Sequence, residues 1–182
     1  LKTPLAAGVK NMLAFGFIVP TFFLFGWAIY NGFPDGIVPR MDALMGAMPW
    51  SQAMGPNITD NATGIFWGAF ALLAATTGSI LSGAIIERAR MSAFIIMTIL
   101  LGSVIWLFAA SWGWHPEGWL TVKWGFHDAG AAGCVHMIAG FFALAVVINL
   151  GARIGRFNPD GSANAIVGHS MPMSVVGLML II

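Results

Sequence analysis

The sequence predicts an all-α protein, a polytopic bundle of transmembrane helices that forms one domain over residues 1–182. Two observations lead to this prediction. Of the 182 residues, 58% are hydrophobic and only 8% are charged, whereas soluble domains average about 25% charged residues. Several uncharged runs are also long enough to cross a hydrocarbon core about 30 Å thick, which requires roughly 20 apolar residues in a helix.

The uncharged runs predict four complete spans and the beginning of a fifth. The complete spans are predicted at Met12–Tyr30, Ile65–Ile86, Met91–Trp114 and Ala129–Ala152, and the truncated one at Met171–Ile182. Pro20 in the first span is tolerable where neighbouring groups satisfy the carbonyl that it frees. The 12 residues of the fifth run cover only about 18 Å. We therefore expect the chain to be part of a larger protein.

Four connections join these spans, the shortest of them Glu87–Arg90, and their charges predict the orientation. Asn31–Gly64 is long, and its apolar middle, Met41–Met54, is expected to lie along the membrane surface. Residues 115–127 and Arg153–Ser170 form the other two. One side of the predicted bundle carries six basic residues: Lys2, Lys10, Arg88, Arg90, Arg153 and Arg156. The other side carries Arg40 and Lys123, so the first side is predicted to be cytoplasmic.

The residues that could carry chemistry gather around the stretch H-D-A-G-A-A-G-C-V-H-M-I-A-G, residues 127–140. Asp128 lies where the fourth span should begin, and its carboxylate can accept the free N–H groups of the first helical turn. His136 follows eight residues later, roughly 12 Å further along a helix. It is therefore predicted deep in the membrane, where ionisable side chains are costly and usually functional.

Trp114 and Asp128 are predicted to face outward above His136. An indole face attracts a cation by about 0.5–2 kcal/mol, depending on desolvation, and a nearby carboxylate adds negative potential. A membrane histidine can exchange a proton or line a polar path. The three together suit a small, deprotonatable cation that enters a narrow pore. Each residue also has a purely structural alternative: Trp114 as an interfacial tryptophan, Asp128 as a helix cap and His136 as the partner in an interhelical hydrogen bond.

Several segments resemble motifs of one transport family. Asp128-Ala-Gly with His136, S-G-A-I-I-E-R at residues 82–88, and F-N-P-D-G-S at residues 157–162 followed by G-H-S-M-P at 168–172 occur in this order. They resemble motifs of the ammonium transporter and Rhesus-glycoprotein family, with nearly its spacing. The resemblance covers most of residues 9–182 and implies the second to sixth of about eleven spans.

The resemblance implies a channel for ammonium or ammonia with an outer recruitment site. His136 matches the first of two pore histidines, Asp128 the aspartate that shapes the recruitment site, and Trp114 the tryptophan that contacts the cation. The spacing from Trp114 to Asp128 is two residues longer than in the family pattern. His169 matches a loop histidine and is not the second pore histidine, while His115 and His127 are expected to be solvated.

The position of the outer phenylalanine gate stays open. Phe66-Trp-Gly-Ala-Phe70 resembles the family's F-x-x-x-F, which makes Phe70 the gate candidate. Counting back from Glu87 without a gap gives Leu73 instead. Phe66 and Phe70 can also be read as helix-packing residues, because they lie four positions apart on one helix face.

The resemblance also implies a homotrimer in the inner (plasma) membrane and a cytoplasmic regulatory partner of the PII type. It implies a transporter and not an enzyme, and no cofactor or nucleic acid is expected. One alternative is an ammonium sensor, in which the same fold is joined to a signalling module outside this segment. Another is a haem-binding membrane anchor, which requires two histidines at similar depth; only His136 is predicted to lie deep.

Overall fold

A computed structural model describes residues 4–52, 54, 60–86, 88–168 and 170–180. Lys2, Glu87 and His169 lie outside these residues, as does the end of the predicted fifth span. Helices dominate the described residues, where Phe157 and Ala163 form an isolated β-bridge. The α-helices are α1 Pro4–Thr21, α2 Trp27–Gly32, α3 Met41–Gly46, α4 Asn61–Ala84, α5 Met91–Leu100, α6 Trp106–Gly113, α7 Trp119–Trp124, α8 Ile138–Leu150 and α9 Met171–Met179. Within the described residues, three π-helical segments extend them: Phe22–Gly26, Leu101–Ile105 and Ala132–Met137.

The predicted four spans are confirmed, with shifted boundaries. In the part of the chain that the structure describes, four continuous helices are long and apolar enough to cross a membrane: Ala7–Gly32, Asn61–Ala84, Met91–Gly113 and Ala132–Leu150. The second begins earlier than predicted because the Asp60 carboxylate accepts the N–H groups of Ala62 and Thr63, at 3.2 and 2.8 Å. Such a cap satisfies backbone donors that a helix start otherwise leaves free.

The predicted start of the fourth span at Ala129 was wrong. Ala131 has a left-handed backbone, with φ of 58°, and the helix begins at Ala132. His136 therefore lies only four residues into the helix, about 6 Å from its start, and not the predicted 12 Å. The predicted connection before it also contains α7, Trp119–Trp124, which had not been expected.

A hydrogen bond joins the last residue of α1, directly before the π segment of the first span, to the π segment of the third span. Thr21, directly after Pro20, donates to the Phe17 carbonyl oxygen at 2.7 Å, and its hydroxyl oxygen lies 2.7 Å from Ser103 Oγ. Wider π turns often occur where a regular helix meets a local constraint. Hydroxyls therefore bond two carbonyl groups close to Pro20, those of Phe17 and Ile18.

The two ends of the bundle separate the charged segments as the orientation predicts. At one end, Lys10 Nζ donates to the Ala89 carbonyl oxygen at 2.9 Å, and Arg88 donates to that of Gly151. At the other end, the Trp119 N–H donates to the Pro34 carbonyl oxygen at 2.9 Å. The first end therefore gathers the segments predicted to be cytoplasmic.

Gly102 allows three spans to meet in the core. A Cβ at this position would lie 2.9 Å from the Ala74 carbonyl oxygen and 2.9 Å from Ile18 Cδ1. Because one of these neighbours is backbone, a methyl group fits only if the helices move apart, and overpacking of this kind costs roughly 1–3 kcal/mol.

Gly102→Ala is expected to lower the thermal unfolding temperature of the detergent-solubilised protein, followed by tryptophan fluorescence. Gly68→Ala is the matched control, since a Cβ there meets nothing within 4 Å and alanine favours a helix. Equal unfolding temperatures in the two variants would contradict the close approach at Gly102.

Candidate functional site

Asp128 connects the start of the fourth span to Trp114 of the third. Its Oδ2 atom accepts the backbone N–H groups of Gly133 and Cys134, at 3.1 and 2.8 Å. The same oxygen accepts the indole N–H of Trp114 at 3.2 Å. The predicted cap is thus confirmed, and the same carboxylate also fixes the indole ring.

Gly133 permits this close approach. A Cβ at Gly133 would lie 2.9 Å from Phe126 Cζ and 3.3 Å from Asp128 Oδ2. The left-handed turn at Ala131 folds residues 129–131 back, so that the carboxylate reaches N–H groups five and six residues later in the chain. Local backbone geometry therefore brings a charge to the positive end of a helix, where it is stabilised.

Four of the five predicted site residues line one open cleft of about 720 Å³ at the predicted outer end. Asp128 and Trp114 contribute a carboxylate and an indole to its lining, and Phe66 and Phe70 of α4 contribute two phenyl rings. Leu73, the alternative gate residue, also contacts this cleft. The cleft therefore combines a carboxylate with aromatic surfaces in a space that a small cation can enter.

Phe70 and Phe66 differ sharply in burial. Phe70 is only 7% exposed, and its ring centroid lies 4.5 Å from that of Tyr30 and 5.7 Å from that of Trp114. Phe66 is 62% exposed. Phe70 thus belongs to a packed group of rings that partly lines the cleft, which we call the aromatic cluster: Trp27, Tyr30, Phe70, Trp106 and Trp114.

His136 is not brought into the same cleft. It lies in the π segment at the start of the fourth span and is exposed. Residues 140, 144 and 148 are exposed on the same helix face, at intervals of four residues. The described helices leave this face uncovered, and the imidazole lies below the capped helix start on that face.

The hydrogen bonds that the Asp128 carboxylate accepts stabilise its ionised form. Burial alone would raise the pKa of this carboxyl, but the N–H groups of Cys134 and Gly133 and the Trp114 indole lower it below its usual value. The group is therefore ionised at neutral pH, as attraction of a cation requires.

Comparison with known proteins gives the family. The sequence model of the Ammonium Transporter Family matches residues 2–182. The chain belongs to the Ammonium Transporter Family. Membership and the four apolar helices together make it a multi-pass membrane protein.

Individual members of the Ammonium Transporter Family align with nearly the whole chain. It is 34% identical over 176 residues to "Ammonium transporter Amt2" of Haloferax mediterranei, and 31% identical over 182 residues to "Ammonium transporter Amt2" of Archaeoglobus fulgidus. It is 29% identical over 171 residues to "Ammonium transporter 1 member 2" of Arabidopsis thaliana. These alignments cover 94%, 95% and 88% of the chain, but 37%, 37% and 32% of the relatives. No solved structure matches the chain significantly.

The sequence analysis did not predict that Tyr30 and His115 lie beside the candidate site of this member of the Ammonium Transporter Family. Tyr30 is 8% exposed, lines the cleft and lies 5.4 Å from the ring of His115. His115 was expected to be solvated, but it is half-buried, and its burial lowers its pKa below the usual value. His127 is exposed, as predicted. No local signal pairs Tyr30 with His115, because the contact joins the ends of two separate spans.

Proposed function

We propose that the chain is part of a membrane channel or transporter for ammonium or ammonia. The observation that carries the proposal is the hydrogen-bonded pair of Trp114 and Asp128 in the wall of an open cleft. A carboxylate lowers the energy of a cation at this position, and the indole face adds a cation–π attraction. The names of the related proteins support ammonium as the substrate.

The charges at the outer end support cation recruitment as well. The connections predicted to lie outside carry two basic residues, Arg40 and Lys123, and five acidic ones: Asp35, Asp42, Asp60, Glu117 and Asp128. A surface with an excess of one sign raises the local concentration of ions of the opposite sign. Arg40 is also neutralised locally by ion pairs with Asp35 and Glu117.

His136 is proposed to act after recruitment. Moving a bare cation through hydrocarbon costs much free energy because of its charge. Ammonia is neutral and avoids this cost. In this proposal the cation loses water and then its proton beside the cleft, ammonia enters the pore, and His136 relays the proton. His136 lies on the helix that Asp128 caps, four residues after the helix start, and this position supports a step that follows recruitment.

Replacement of His136 by leucine is expected to reduce ammonium-dependent transport at least tenfold, because the path then lacks a proton-accepting group. Methylammonium uptake and ammonium-induced current are measured in proteoliposomes. Met137→Leu is the control, since Met137 is exposed on the same helix without a titratable group. If His136→Leu carries the same current as the parent protein, the proposed proton relay by His136 is wrong. That result would not contradict the proposed pore.

The proposed setting is the inner (plasma) membrane, with three copies of the protein and regulation by a cytoplasmic protein of the PII type. The basic cytoplasmic end and the family membership support this setting. Native mass measurement in detergent tests the trimer, and co-purification from the source cells at high and low ammonium tests the regulatory partner. A monomer mass contradicts the trimer. Failure to recover a regulatory protein at either ammonium concentration contradicts the proposed partner.

A further inference from the structure

A second groove lies at the opposite end of the bundle from the candidate site. It has a volume of about 530 Å³ and runs between the start of α5 and the end of α8. Two arginines, Arg88 and Arg90, stand at its mouth, and the remainder of the lining is apolar except for Asn149. We propose that this groove binds one anionic phospholipid of the cytoplasmic leaflet, with its phosphate at the two arginines and an acyl chain along the apolar walls.

The walls suit an acyl chain. Ala93 and Met97 form one side, and Phe142 and Val146 form the other. Met97 lies six residues into the third span and Phe142 eight residues before the end of the fourth, so the apolar walls extend roughly 9–12 Å from the mouth. Grooves of this kind between helices are filled by lipid at little cost, because lipid tails are as apolar as the side chains.

The mouth suits a phosphate. Arg88 donates to the Gly151 carbonyl oxygen and is half-buried, which fixes its guanidinium between the two spans. Arg90 is exposed, and the ion pairs of the described residues all belong to Arg40 at the other end. No carboxylate of the described chain lines the groove. Two guanidinium groups that have no acidic partner among the described residues favour a phosphodiester.

The position in the bundle favours a lipid over a soluble phosphate. The mouth lies at the end predicted to be cytoplasmic, where the leaflet carries anionic headgroups. Basic pockets between helices on that side bind such headgroups. A free phosphate would use the arginines alone, whereas a phospholipid also fills the apolar walls, and this difference can be measured.

Native mass spectrometry of the protein in non-ionic detergent tests the charge. Dioleoylphosphatidylglycerol is expected to bind about tenfold more tightly than dioleoylphosphatidylcholine, and Arg90→Gln to weaken its binding at least roughly fivefold. Arg153→Gln is the matched control, because it removes the same charge at the same end but does not line the groove. Equal losses in both variants would reduce the proposal to diffuse attraction by a basic surface.

A second pair of variants tests the apolar walls. Ala145→Phe fills the groove, whereas Leu144→Phe changes the neighbouring residue, which does not line it. Only Ala145→Phe is expected to weaken phosphatidylglycerol binding, by about tenfold. The proposal is overturned if inorganic phosphate binds as tightly as the lipid and Ala145→Phe has no effect. It is also overturned if Ala145→Phe changes the oligomer mass and leaves the lipid count unchanged.

Discussion

Asp128→Ala is expected to reduce transport at least tenfold and to destabilise the start of the fourth span. The substitution removes the acceptor of two backbone N–H groups and of the Trp114 indole N–H. Loss of a capping side chain costs about 0.5–2 kcal/mol, and the indole loses the bond that orients it. Transport, measured as methylammonium uptake, is expected to fall at least tenfold because the charge and the aromatic surface are lost together.

Asp128→Asn separates the charge from the cap. An asparagine side-chain oxygen can still accept N–H groups at a helix start, so the unfolding temperature is expected to stay closer to that of the parent protein than with alanine. Cation attraction is still lost. If the asparagine variant transports at the parent rate, Asp128 acts as a cap alone and the recruitment proposal fails.

The pH dependence follows from the lowered pKa of Asp128. The stabilisation from its ionised form is fully present above the usual carboxyl value of about 3.9 and is lost as the pH falls through the lower folded value. Recruitment by this group is therefore expected to be constant from neutral pH down to about pH 4.

Asp60→Ala is the matched control for Asp128→Ala. Asp60 is also an acidic cap at the outer end, bonded to the N–H groups of Ala62 and Thr63, but it does not line the cleft with Trp114. Its loss is expected to lower stability slightly and to leave uptake within about twofold, as for an exposed charge at a distance. Equal loss of uptake in both variants would point to net outer charge, and not to the Trp114–Asp128 pair.

The spans could be predicted because each is encoded by a long uncharged run, which predicts a helix without knowledge of any contact to another segment. An uncharged run of about 20 residues must be a helix in hydrocarbon, and the four runs all became continuous helices. Helix ends depend on single contacts instead. Because Asp60 caps α4, the second span begins earlier than predicted. Because Ala131 has a left-handed backbone, the fourth span begins later than predicted. The second shift also changed the depth of His136, because that estimate counted residues from the wrong start.

The candidate site was predictable in part, for a similar reason. The cap at Asp128 is a local interaction, and sequence position alone suggested it. The hydrogen bond between Thr21 and Ser103 and the contacts of the aromatic cluster, such as that of Tyr30 with Phe70, join different spans. Periodicity within one helix does not contain that information. The functional roles of Trp114 and His136 stay predictions.

The two phenylalanines of α4 are expected to respond differently to truncation. Phe70→Ala removes a 7% exposed ring that contacts Trp27, Tyr30, Trp106 and Trp114. Replacing a buried phenylalanine by alanine costs about 3–5 kcal/mol, and each aromatic pair adds roughly 0.5–1.5 kcal/mol. The variant is expected to unfold at a clearly lower temperature and to lose uptake as Trp114 loses its support.

Phe66→Ala is the informative comparison, because Phe66 contacts the same cleft from the same helix and is 62% exposed. Its truncation is expected to change the unfolding temperature little, since an exposed ring has little burial to lose. A change in uptake without a change in stability would then make Phe66 the gate. Phe70→Leu keeps most of the buried volume and removes the ring. If Phe70→Leu is stable and alters only transport, Phe70 acts at the pore itself and not as packing behind Trp114.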